Sequence, residues 1–352
     1  MPAVTRSRRA RGLAHLALPL LALAAASPAR AQGEVNIYSY REPQLIAPLL
    51  EAFTAKTGIK ANVVYASAGL NERLAAEGAN SPADLLFTVD AGRLSEAKDA
   101  GLTQAVQSAM LDQAIPPQFR DPAGHWYGLT VRARVVYASR ERVKQDAITY
   151  EELADPKWKG KLCIRSGQHV YNTSLFATMI AHKGEAATEA WLRGVKANLA
   201  HKPAGGDREQ ARDIKSGKCD LALGNTYYMA LMLKNEKNPE QKEWAAAIKI
   251  LFPNAGDRGS HVNISGMALA KHAPNRANAL KLMEFLASEE AQRIYALANN
   301  EYPVSPKVPP SEVVQSWGPL KADTLPLDNI ARYRRKASEL VDKVNFDAGP
   351  SS

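Results

Sequence analysis

Residues 35–67, VNIYSYREPQLIAPLLEAFTAKTGIKANVVYAS, decide how the rest of the chain is read. VNIYSY is rich in Val, Ile and Tyr, as strands are. PQLIAPLLEAFTAKT places apolar residues at helical spacing and stops at Gly58, a helix-ending residue. IKANVVYAS is a second strand, LNERLAAEG a short helix and ADLLFTV a buried strand. This strand–helix alternation predicts an α/β layer on a mainly parallel sheet. Near residue 130 the rhythm breaks. HWYGLTVRARVVYAS (125–139) is extended and apolar, as a segment crossing between domains would be. TYEELADPKWKGKLCIRS (149–166) opens a second α/β unit, which runs through a helical stretch (174–198), a Gly-rich bend (AGGDREQ) and the strand-like CDLALG. HVNISGMALAKHA (261–273) is extended again and precedes an amphipathic helix pair over 277–300; the tail FDAGPSS reads as a frayed end. The expected architecture is two α/β lobes joined by two extended crossings. The first lobe would hold residues 32–131 and 261–352, with the C-terminal helices returning to it, and the second residues 132–260.

The N-terminus reads as a targeting signal. RSRRAR (6–11), the apolar LAHLALPLLALAAA and Ala29-Arg30-Ala31 follow the order of a cleaved secretory signal peptide, residues 1–31. The apolar part is too short and Ala-rich to favour a membrane span. Export by the general or the twin-arginine route stays open. Removing the leader takes away five arginines and no acids, so the formal charge falls from +9 to +4. Much of the basicity is thus targeting signal, which withdraws the main support for nucleic-acid binding. About 320 residues remain, enough for two domains. The two cysteines, Cys163 and Cys219, suggest one disulfide in an exported chain. A redox pair or a thiolate metal site is the alternative, and the lack of a CxxC spacing favours the bridge.

GNTYYM (224–229) puts two tyrosines side by side where a strand-like run gives way to a helical one, after what reads as a Gly-Asn turn. Successive side chains face opposite ways in a strand and about 100° apart in a helix, so at a junction two phenols can converge. Asn225 or Thr226 is placed to cap the helix. The plainer reading is one packing tyrosine and one surface tyrosine. His125, His182, His201, His261 and His272 are scattered without metal-binding spacing, and most are expected to be solvated. Asn263-Ile264-Ser265 matches a glycosylation acceptor, a match read as incidental.

VNIYSYREP, VYASAGLNERL, RARVVYAS, WKGKL, GNTYYM and MEFLASEEAQRIYA…NNEYPV together resemble the periplasmic substrate-binding proteins of bacterial ferric-iron ABC transporters. The resemblance spans nearly all of the chain beyond the leader. It implies a two-lobed periplasmic-binding-protein clamp, type II-like, that closes on its ligand and catalyses nothing. Tyr171, Tyr227 and Tyr228 look like the family's ferric ligands. Tyr40 is a further candidate from the first lobe, and Glu42 a weaker one; this chain departs there from relatives that carry a histidine. Phenolate oxygen suits a small, hard trivalent ion. The resemblance also implies a synergistic carbonate or similar small anion, with Arg41 and Arg132 as its holders, since a guanidinium gives a planar oxyanion two parallel hydrogen bonds. His169, close to Tyr171, is expected beside the site rather than as a ligand. The partner would be an inner-membrane ABC permease, the protein a monomer, and its location the periplasm. The rival is another solute in the same fold: an oxyanion, a phosphonate, thiamine or a polyamine. An exported metal-dependent hydrolase is disfavoured by the absence of a Gly-x-Ser-x-Gly elbow or a histidine-rich site.

Overall fold

The alternation read from residues 35–88 folds as a parallel sheet. In the computed structural model, which describes residues 1–3 and 33–350, β1 (Glu34–Ser39) pairs in parallel with β2 (Lys60–Tyr65) on one side and β3 (Leu85–Thr88) on the other. Apart from residues 1–3, the expected leader lies outside the described residues. α1 (Pro43–Thr57) and α2 (Leu70–Glu77) connect the strands. α1 begins on a proline, whose missing N–H has no partner to lose there, and ends at Gly58 with φ 70°. Its Ile46, Leu49, Leu50 and Phe53 fall at helical spacing and are buried. α3 (Ala91–Asp99), β4 (Thr103–Gln104) and α4 (Ala109–Ala114) complete this run.

β5 (Tyr127–Ser139) is the first crossing, and all 13 of its residues are buried. Its residues Tyr127–Ala133 pair antiparallel with β9 (Val262–Ala270), which also joins β3. From Arg134 onward it pairs instead with β7 (Leu221–Asn225) and β8 (Ile248–Leu251). One strand therefore belongs to both sheets, and the hand-over falls at Ala133–Arg134. β6 (Leu162–Cys163) runs parallel to β7 in the second sheet.

The second sheet is covered on both faces. Tyr137 lies in the core with Ala211 and Ile214 of α7 (Asp207–Lys215), Met229 and Met232 of α8 (Thr226–Leu233) and Ala245 of α9 (Glu240–Ala246). Val136 and Ala138 lie in the opposite core, with Leu175 and Phe176 of α5 (Val170–Lys183) and Leu192 and Val195 of α6 (Glu185–Ala197). Period-two alternation along β5 divides the two sets. The disulfide Cys163–Cys219, with Cα atoms 5.9 Å apart, ties β6 to the entry of β7.

α10 (Arg276–Ala287) and α11 (Glu289–Asn299) pack on the first sheet and on α1, with the Phe53 and Phe285 rings 5.6 Å apart. β10 (Tyr302–Pro303) pairs with β5, and α12 (Glu312–Gln315) follows. The end of the chain departs from expectation. α13 (Asp328–Lys343) lies along α5 and also touches α3, and its Ala337, Leu340 and Val341 enter the second core. Phe346 is buried there against Phe176, at 5.9 Å between rings. The described part of the tail is thus anchored rather than frayed, because one aromatic side chain finds a core to fill. Among the described residues no helix is long and apolar enough to cross a membrane.

Candidate metal centre

Two helix starts aim the tyrosines. α8 begins at Thr226, directly after β7, so Tyr227 and Tyr228 occupy its first turn. Their rings lie 4.3 Å apart at 32°. Tyr171 is the second residue of α5, whose N-cap is His169. The Tyr171 hydroxyl lies 3.1 Å from that of Tyr227. Oxygens at right angles around a small ion bound at roughly 2 Å sit about 2.8–3.0 Å apart, so this spacing suits one shared ion. All three tyrosines line a single cleft of about 390 Å³, with Tyr40, Arg41, Glu42, Tyr65, Arg93, Arg165 and Arg208 on its other walls.

Gly224 and Asn225 do not form the expected turn. Both are in β7, opposite Val135 and Arg134. Gly224 is required by close approach: a Cβ there would meet the Tyr137 ring at 2.3 Å. Asn225 precedes α8 without capping it through its side chain. Its Oδ1 accepts from Arg134 Nη1 at 3.2 Å, and its backbone N–H donates to Asp207 Oδ2 at 2.8 Å.

Asp207 organises this wall, and it went unnoticed in the sequence. It is fully buried and takes Arg134 Nη1 at 2.6 Å and Arg165 Nη1 at 3.2 Å. Burial alone would raise its pKa, but the two guanidiniums and the Asn225 N–H hold it below the usual carboxylate range. The signal available was an acid directly after the Gly-rich bend, at a helix start.

Arg41 and Arg132, the expected anion holders, differ in their partners. Arg41 donates through Nη2 to Glu301 at 2.6 Å and Ser265 at 2.9 Å, and through Nε to Tyr295 at 3.1 Å. Among the described residues Nη1 finds no hydrogen-bond partner, and Arg41 lines the cleft. Arg132 does not line that cleft but shares a small cavity with Tyr171: Nη1 donates to Ser265 at 3.1 Å, Nη2 is buried without a partner among the described residues, and the guanidinium sits 5.4 Å from the Tyr171 ring centre. Arg165 and Arg208, not singled out in the sequence, stand over Tyr171 and Tyr228 at 5.3 and 5.2 Å.

Tyr40 reaches the cleft wall, but its hydroxyl accepts from the Asn71 N–H at 2.9 Å and donates to Asn71 Oδ1 at 3.2 Å. Glu42 is exposed on the wall. His169 accepts the Tyr171 N–H at Nδ1, 3.2 Å away, and so caps α5. Its pKa is lowered to about 3, first by burial and then by Arg165 and Arg134. The expectation of solvated histidines fails at His261, which is buried at the second crossing with Nδ1 2.9 Å from Thr178 Oγ1. Asn263, the acceptor-motif asparagine, is also buried and donates to Asp90 at 2.6 Å.

Burial pushes the Tyr227 hydroxyl well above the usual phenol range, and Tyr171 and Tyr228 add to it. Tyr228 is raised by burial and then by Tyr171. Without a cation both therefore keep their protons at neutral pH. A hard cation can displace those protons, and the arginine-rich walls offset the negative charge of the resulting phenolates.

Residues 80–318 match the family of bacterial extracellular solute-binding proteins. The chain is 45% identical over 317 residues to "Iron uptake protein A1" of Synechocystis sp., covering 90% of this chain and 88% of that one. It is similar in structure to the "Bordetella ferric binding protein", at 56% identity and a TM-score of 0.83 over 89% of this chain and 99% of that one. A Trichodesmium protein in complex with iron and citrate ligands aligns at 40% identity with a TM-score of 0.85, covering 89% of this chain and all (100%) of the other.

Proposed function

The chain belongs to the bacterial extracellular solute-binding proteins, on their periplasmic ferric-iron-binding branch, and from that premise we propose that Tyr171, Tyr227 and Tyr228 hold its iron as phenolates. The protein binds ferric iron in the periplasm and delivers it to an ABC importer. The observation that carries the ligand assignment is the 3.1 Å contact between the Tyr171 and Tyr227 hydroxyls, with Tyr228 in the same cleft.

Three phenolates leave an octahedral ferric ion with open positions. A small anion such as carbonate fills them, held by Arg41 through Nη1, which has no partner among the described residues, and by Arg132 through its unpartnered Nη2, with Arg165 and Arg208 balancing charge. Tyr40 belongs to the closing wall rather than to the iron, because Asn71 occupies its hydroxyl. The lobes open and close about β5 at Ala133–Arg134 and about the second crossing near His261, a hinge motion. Residues 1–31 are removed on export, and the loaded monomer docks on an inner-membrane permease. Another solute in this fold is not favoured: the similar proteins are named for iron, and a cleft rich in arginine with few acids does not suit a polyamine.

The test is a visible-absorbance titration with ferric citrate and bicarbonate. The wild type should develop an intense phenolate-to-iron band, and Tyr227→Phe should lose most of it. An iron-loaded wild type without such a band would refute the phenolate site.

A further inference from the structure

Apart from the tyrosine cleft, a group of side-chain atoms of metal-binding type meets around the disulfide. His201 Nε2 lies 3.3 Å from Cys163 Sγ and 3.4 Å from Asp213 Oδ2. The donor atoms of Cys163, His201 and Asp213 all fall within 4.8 Å of one another, and Cys219 is bonded to Cys163. In a tetrahedral zinc centre with bonds of about 2.0–2.3 Å, neighbouring donors sit roughly 3.3–3.8 Å apart. The nitrogen–sulfur and nitrogen–oxygen spacings already lie in that range.

The orientation of His201 is an independent indication. Its Nδ1 donates to the Lys202 carbonyl at 2.8 Å, so in the neutral ring Nε2 carries the lone pair. That lone pair faces a sulfur and a carboxylate oxygen, two groups with no proton to offer it. Metal-binding histidines are commonly oriented by such a backbone carbonyl on the other nitrogen. Arg212 and Lys218 meet Asp213 through Oδ1, which leaves Oδ2 to face the ring. Cys163, Cys219 and Asp213 are buried, while half-buried His201 gives the cluster an opening to solvent.

We propose that Cys163, Cys219, His201 and Asp213 form a latent site for a zinc-class divalent ion, closed while the disulfide is intact and opened by its reduction. Sulfur in a disulfide is a poor ligand, whereas thiolate is a strong one. With a phosphine as reductant, the S–S bond takes the phosphorus electron pair and breaks. The phosphorus is oxidised to a phosphine oxide with the oxygen of one water, whose two protons go to the sulfurs. A divalent ion then displaces both thiol protons as two sulfur–metal bonds form, and His201 Nε2 and Asp213 Oδ2 complete four-coordination. The site is distinct in chemistry from the tyrosine cleft and stands whether or not the iron reading does.

The test uses the purified full chain with cobalt(II) as a coloured stand-in for zinc. After treatment with tris(2-carboxyethyl)phosphine, one equivalent of cobalt should give a sulfur-to-cobalt band and the intense visible bands of a tetrahedral ion, both bleached by zinc. The untreated chain should show neither. His201→Ala and Asp213→Asn, reduced in the same way and matched for free thiols, should bind cobalt about tenfold or more weakly. Absence of the bands in the reduced wild type, folded or not, overturns the proposal. So does undiminished binding by His201→Ala, which would mark mere thiol capture.

Discussion

Tyr227 is more buried than its two companions, and its proton is correspondingly hard to remove. In the proposed site iron must displace that proton, so affinity is expected to fall as acid is added, about tenfold per pH unit for each proton released. Equilibrium titration at stepped pH reads this slope. Tyr227→Phe removes one of the three proposed ligand oxygens but little packing. Iron affinity is expected to fall by roughly a hundredfold or more, while the urea-unfolding free energy shifts by about 1 kcal/mol or less. Arg41 presents the opposite balance. It and Glu301 are both buried and paired, and Glu301 also takes Thr130 and Ser265. Arg41→Met leaves that carboxylate buried without its main partner, which costs about 3–5 kcal/mol of stability in urea unfolding. Recovery of much of the loss in the Arg41→Met, Glu301→Gln double variant would identify the stranded charge as the cause.

At the scale of elements, the β7–α8 junction sets the site. Gly224→Ala would drive a methyl into the Tyr137 ring, and overpacking of this kind costs about 1–3 kcal/mol. It should also weaken iron binding, since the start of α8 carries two of the phenols; calorimetry against ferric citrate checks this. Much at this scale was legible. Val-, Ile- and Tyr-rich runs alternating with helical spacing in residues 35–88 marked the parallel sheet, and the largely apolar run 125–139 marked an extended segment that is one strand shared by two sheets. Side-chain partners across the fold were not. Nothing local tells Asp207 from any acid at a helix start, and Arg165 and Arg208 gain meaning only when α5 and α8 are brought together. Gly-Asn resembles a turn until its pairing partner is known. Gly224 lies opposite Val135 of β5, and the Tyr137 ring on that same strand fills the space a side chain would need. The placement of α13 was equally hidden, because an amphipathic helix shows which face is apolar but not which core will cover it.

For the whole molecule, acid is the informative variable. His169 and His261 are held neutral, both lowered from 6.5 to about 3, chiefly by burial and then by Arg165 and Arg134 respectively. The unfolded chain takes up these protons near pH 6.5 and the folded chain resists them. Their contribution is therefore present above pH 6.5 and lost progressively as pH falls toward 3. The melting temperature of the iron-free protein should drop across this window, and His261→Gln should flatten the slope. The central claim is that three phenol oxygens share one ferric ion between the lobes. Crystals grown with ferric iron and bicarbonate, measured at the iron absorption edge, test it most directly. The predicted result is a single anomalous peak within bonding distance of the Tyr171, Tyr227 and Tyr228 oxygens. A peak elsewhere, or one touching fewer than two of those oxygens, would contradict it.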